Sequence, residues 1–154
     1  MSAAPRHPLI HECTVLLGRL WVGGALAVAG VAGLLAPTAE LVRAIEGYQV
    51  LPAQAAPYLA QALPWVEAVI GLAVLIGLTQ RISLRVAAGL VTLFWLVTGQ
   101  ALLRRLPLSD CGCFGQLLSL SLPRIWLLDG ALLLIAWWLV PRHTAMISLD
   151  RWAA

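Results

Sequence analysis

The sequence contains no lysine, and acidic and basic residues together make up only 11% of it. Soluble domains carry about 25% charged residues. That scarcity, with 61% hydrophobic residues and a mean hydropathy of +0.90, argues against an ordinary soluble globular protein. The ten basic residues are all arginines, dispersed between apolar segments without a basic stripe. That pattern argues against nucleic-acid binding and fits anchoring in a lipid bilayer. The three cysteines are too few for a disulfide framework, and they fall as a Cys111–Cys113 pair with a distant Cys13, to which no role is assigned. There is no internal repeat and no low-complexity tract. Nor is there a small-residue cleavage site behind a short apolar core near the start, so the first apolar run reads as a retained helix.

What is present is a series of apolar runs of spanning length, about 20 residues each. A length of 154 residues accommodates four of them as a single integral-membrane domain, and the expected helices cover roughly 14–35, 57–78, 83–103 and 123–140. The fold class is therefore an all-α four-transmembrane-helix bundle. In helix 1, Ala25, Ala29 and Gly33 repeat on one face, a pattern that allows close backbone packing in lipid. Arg19, one turn inside the start of that helix, is expected to snorkel to the headgroups, the alternative being a pairing inside the bundle. Between Pro37 and Pro52, Leu41, Val42, Ile45 and Tyr48 recur at helical spacing behind Thr38, a candidate N-cap. This predicts a short amphipathic surface helix between helices 1 and 2. Trp137 and Trp138 suit an interface belt at the end of helix 4.

With the N- and C-termini cytoplasmic, five arginines (6, 81, 85, 142, 151) lie inside and four (43, 104, 105, 124) outside, a small positive-inside excess. The connection 107–122, carrying Cys111 and Cys113, then faces outward. Glu67, Gln100 and Asp129 all fall in the outer half of their helices, with Asp129 roughly 10 Å below the start of helix 4. Carboxylates inside membrane spans are costly and usually face the bundle interior. A polar cluster beneath the cysteine connection is the expectation.

Asp110-Cys111-Gly112-Cys113-Phe114-Gly115 is the stretch with the most chemistry. An extracytoplasmic compartment permits a disulfide. A ring closed over one intervening residue is small and strained, and such bonds tend to exchange. Gly112 lowers the backbone cost. Thiol–disulfide exchange is the leading reading, with Glu67 or Asp129 as proton acceptors. Binding of a soft metal such as Cu(I) by the two thiolates is an alternative. It is weakened because His7, His11 and Cys13 belong to the opposite side, so no metal site is assigned. An adventitious structural turn is the third possibility.

Cys111-Gly112-Cys113-Phe114-Gly115 before the last helix resembles the MauE family within the DoxX-like membrane proteins. So do Ala44-Ile45-Glu46-Gly47-Tyr48 with Leu51-Pro52, and Leu63-Pro64-Trp65-Val66-Glu67 with Gly71. Arg19 and Asp129 also occupy positions that are usually polar in that family. The sequence departs from the family where a lysine is common near the end of helix 1 (here Gly30-Val31-Ala32-Gly33) and where a basic residue precedes the helix 4 aspartate (here Leu128). The resemblance implies a four-helix protein of the bacterial inner membrane acting with a periplasmic thioredoxin-like partner in disulfide formation or maturation of a secreted protein. One outward couple needs a second electron carrier, either another protein or a membrane quinone held near Trp65, Trp95 and Trp126. Interface and packing roles are the simpler reading of those tryptophans. The rival reading is a non-enzymatic membrane module: a metal handler, a small-solute transporter or a scaffold for a larger oxidoreductase.

Overall fold

The computed structural model describes residues 8–106 and 121–142. Five α-helices account for nearly all of them: α1 (Pro8–Leu35), α2 (Thr38–Gly47), α3 (Ala56–Ile76), α4 (Gln80–Leu103) and α5 (Leu122–Leu139). Four helical segments are long and apolar enough to cross a bilayer, over Glu12–Leu35, Ala53–Ile76, Gln80–Leu103 and Leu122–Arg142. The protein is a four-helix membrane bundle with one short amphipathic helix added. Its outer surface carries bare Leu17, Trp21, Leu103, Leu127 and Leu134, as lipid-facing helices do.

Helix boundaries follow local chemistry. α1 begins at Pro8 instead of near residue 14, because proline is well placed in a helix's first turn and the polar residues behind it extend the helix beyond its apolar span. α3 and α5 likewise carry a proline in their first turn. α3 stops at Gly77, whose φ of 73° is left-handed and suits a residue without Cβ. The Leu78 amide returns to the Ala73 carbonyl at 3.0 Å, and Ser83 Oγ donates to the Leu78 carbonyl at 3.1 Å. α4 therefore starts at Gln80, earlier than residue 83, after a connection of only 77–79. Thr38 is the first helical residue of α2, with no side-chain cap; Pro37 precedes it as N-cap, and the Glu40 amide reaches the Pro37 carbonyl.

α1 packs on α3 and α5, and α4 packs on the same two, so α1 and α4 stand across the bundle from each other. The α1–α3 contact is made by backbone. A Cβ on Gly30 would overlap the Ala68 amide nitrogen and lie 2.7 Å from the Pro64 carbonyl oxygen. A Cβ on Gly71 would overlap the Ala27 amide and lie 2.8 Å from the Gly23 carbonyl oxygen. The face in closest contact is thus Gly23-Ala27-Gly30 against Pro64-Ala68-Gly71. Of the expected stripe only Gly33 joins in, meeting the Pro64 ring. Pro64 is buried inside α3, where it removes one helical hydrogen bond.

Arg19 does not snorkel. It is 1% exposed, and its guanidinium donates from Nε and Nη2 to the Val74 carbonyl at 3.3 and 3.1 Å, and from Nη2 to the Leu75 carbonyl at 3.3 Å. These carbonyls belong to the last turn of α3, where helix partners run out and the dipole favours a cation. Snorkelling fails as an account because the nearer polar target is a helix terminus. On the other side of the bundle, α4 and α5 interlock through two tryptophans. Trp95 packs over Gly130 and Trp126 over Gly99, and the two rings stack with centroids 5.2 Å apart and planes 22° apart.

The backbone contact gives a direct prediction. Gly30→Ala and Gly71→Ala should each destabilise the detergent-solubilised protein by about 1–3 kcal/mol, the usual range for overpacking. Gly24→Ala and Gly89→Ala, where an added Cβ meets nothing within 4 Å, should leave the thermal midpoint unchanged or slightly raised.

Candidate functional site

α2 lies across one end of the bundle because its apolar residues fall on one face. Leu41 and the following Tyr48 are buried, while Thr38, Ala39, Arg43 and Glu46 are exposed. Beneath that face is a cavity of about 330 Å³. Its walls come from every helix. α1 contributes Ala25, Ala29 and Gly33, so the small-residue stripe of helix 1 opens space instead of closing it. α3 contributes Leu59, Leu63 and Glu67 at a spacing of four, and α4 contributes Leu93, Phe94, Val97 and Thr98. Ile125, Asp129 and Leu132 complete it from α5, and Leu41, Ala44, Ile45 and Tyr48 roof it.

Two carboxylates line this apolar space. Glu67 is 3% exposed, and Asp129 is half-buried. Thr98 stands beside Asp129, its Oγ1 3.5 Å from Oδ2. Its single hydroxyl hydrogen has nearer acceptors in the carbonyls of Phe94 at 2.9 Å and Trp95 at 3.2 Å. The hydroxyl is therefore held mainly by its own helix. α3 and α5 stand on opposite sides of the bundle, so Glu67 and Asp129 enter the cavity from opposing walls. Among the described residues no arginine or histidine lines it.

Other candidate residues lie elsewhere. Gln100 is not among the lining residues; its amide oxygen and nitrogen are buried without a hydrogen-bond partner among the described residues, as is Trp126 Nε1. Arg19 binds the end of α3 near Val74, seven residues beyond Glu67, or roughly 10 Å along the helix. It thus lies toward the opposite end of the bundle from Gln100. Trp65 is 62% exposed on α3, whereas Trp95 and Trp126 are locked to each other; none of the three lines the cavity. Trp137 donates from Nε1 to Thr92 Oγ1 at 3.1 Å, and the Arg142 guanidinium lies 4.4 Å above the Trp138 ring.

Cys111, Gly112, Cys113, Phe114 and Gly115 lie outside the described residues. The chain leaves α4 and rejoins α5 at the end of the bundle that holds the cavity, where Leu106, Ala101, Leu122 and Ile125 pack with Tyr48. Arg104 Nη2 also reaches Gln49 Oε1 there, at 3.1 Å. Cys13 is exposed near the start of α1. Thr98 and Tyr48 are lining residues that reasoning from charge alone passes over. The signal for Thr98 is its place in the α4 series Val91-Phe94-Thr98-Ala101, and for Tyr48 its position on the apolar face of α2.

Comparison with protein families finds one match covering most of the chain: the family described as methylamine utilisation protein MauE, over residues 12–142. Neither the curated proteins nor the solved structures yield a match.

Because Asp129 makes, among the described residues, a single long side-chain hydrogen bond, Asp129→Asn should leave the thermal midpoint in detergent unchanged or raised. A fall of more than about 5 °C, on the order of 2 kcal/mol for a chain of this size, would mark the carboxylate as structural.

Proposed function

This chain belongs to the MauE family, and from that membership and the Cys111-Gly112-Cys113 string we propose that it is a thiol–disulfide redox protein of the bacterial inner membrane serving methylamine utilisation. The observation that carries the reading is the two cysteines, one glycine apart, in the connection between α4 and α5. That connection joins the bundle at the end where Glu67 and Asp129 line a shared cavity.

In the proposed reaction a thiolate of the Cys111–Cys113 pair attacks one sulfur of a disulfide on a periplasmic thioredoxin-like protein. A mixed disulfide forms and the partner's other sulfur leaves as a thiolate. The second cysteine then attacks the mixed disulfide, closing the Cys111–Cys113 bond and releasing the partner as a dithiol. Two electrons pass to the partner, and the reverse sequence returns them. Glu67 and Asp129 are the groups available to hold the proton released when the attacking thiol ionises. The orientation rests on five inner against four outer arginines, and Arg19 adds nothing to it, since it is occupied by the end of α3.

Trapping tests the reading. Cys111→Ser or Cys113→Ser leaves a single thiol that cannot resolve the intermediate. One of the two variants, expressed in the native host and acid-quenched, should carry a reducible adduct to a periplasmic protein. Absence of any adduct from both variants would overturn the exchange mechanism.

A further inference from the structure

The end of the bundle away from the cysteine connection carries a second hollow, a cleft of about 530 Å³ on the lipid-facing surface between α1 and α5. Gly18 forms its floor, because a residue without a side chain lets α5 lie close. A Cβ there would meet the Leu139 and Ile135 side chains at 3.2 and 3.3 Å. Leu17 and Trp21 from α1 and Leu134 and Trp138 from α5 line its sides, and all four are exposed. These walls are hydrocarbon and aromatic ring, and among the described residues no carboxylate lines them.

A cation stands at the mouth of this cleft. The Arg142 guanidinium lies 4.4 Å above the ring of Trp138, and its Nη1 donates to the Trp138 carbonyl at 2.8 Å. Two contacts with one lining residue fix the group in place and leave N–H donors on Nε and Nη2. Leu134 stands eight residues before Arg142, roughly 12 Å along the helix. A fixed positive charge at the membrane boundary therefore continues into an apolar track that runs toward the bilayer interior.

We propose that this cleft binds one anionic phospholipid, its phosphate on Arg142 and an acyl chain along Leu17, Trp21 and Leu134. The planar guanidinium matches a phosphate with paired N–H donors. Basic pockets between membrane helices hold anionic head groups in this way. A zwitterionic lipid fills the same apolar track, but its own ammonium competes with Arg142 for the phosphate. A second copy of the chain is the poorer occupant. Both copies share one orientation in the membrane, so a two-fold contact across this cleft brings both Arg142 side chains to the same end, like charge beside like charge. The cleft and its lipid stand apart from the disulfide chemistry.

Native mass spectrometry of the full-length protein in detergent tests this, with phosphatidylglycerol and phosphatidylcholine of the same acyl chains titrated separately. Phosphatidylglycerol should bind first as a single molecule, with an apparent Kd about fivefold below that of phosphatidylcholine, the ratio expected of one basic side chain at a membrane surface. Arg142→Gln should erase that preference. Leu134→Trp fills the cleft at a residue that is 74% exposed, where the fold has little to lose, and should weaken both lipids. Arg85→Gln removes the same charge from an exposed position on α4 outside the cleft, and should bind as wild type. Equal retention of the two lipids, a loss in Arg85→Gln as large as that in Arg142→Gln, or unchanged binding by Leu134→Trp would overturn the proposal. A dimer that phosphatidylglycerol does not dissociate and that Leu134→Trp abolishes would overturn it too, giving the cleft to a second copy.

Discussion

The architecture depends on how closely α1 and α3 approach. In lipid the hydrophobic effect does not bring helices together, so packing and hydrogen bonding must. Here Gly30 and Gly71 let one backbone rest on the other, with Ala27, Pro64 and Ala68 filling the surroundings. α4 and α5 form a second closely packed pair, held by Trp95 over Gly130 and Trp126 over Gly99. With each pair drawn inward, space is left between them at one end. That space is the cavity, and the apolar face of α2 closes it.

The polar groups inside the bundle divide by what they do. Arg19 completes a helix terminus, a structural task that repays its burial with three hydrogen bonds to backbone carbonyls. Glu67 and Asp129 instead line the cavity, from opposing walls. The two carboxylates line this space at the end of the bundle where the connection carrying the two cysteines leaves α4 and rejoins α5.

Much of this was legible in the sequence. Four spanning helices, the amphipathic α2 between Pro37 and Pro52, and the placement of Glu67 and Asp129 toward one end all follow from hydropathy, periodicity and helical rise. Helix partners were not legible. A stripe of small residues says that something comes close, but Ala25-Ala29-Gly33 and Gly23-Ala27-Gly30 lie on neighbouring faces of one helix, and only the position of α3 chooses between them. Arg19 was misplaced for a similar reason, because the free carbonyls at the end of α3 are a tertiary feature. Thr98 and Tyr48 carry no charge to mark them. Gln100 shares the end of α4 with Thr98 but does not reach the cavity lining.

The proposed redox role rests on a pair of cysteines in the connection between α4 and α5 of a four-helix membrane bundle. The direct test is differential alkylation of the full-length protein in isolated native membranes, read by mass spectrometry before and after reduction. The account predicts a fraction of molecules carrying a Cys111–Cys113 disulfide that a thiol reductant opens and an oxidised thioredoxin-like protein restores, with Cys13 alkylated throughout. A pair that stays fully reduced under oxidant, or a disulfide that does not exchange, would contradict it.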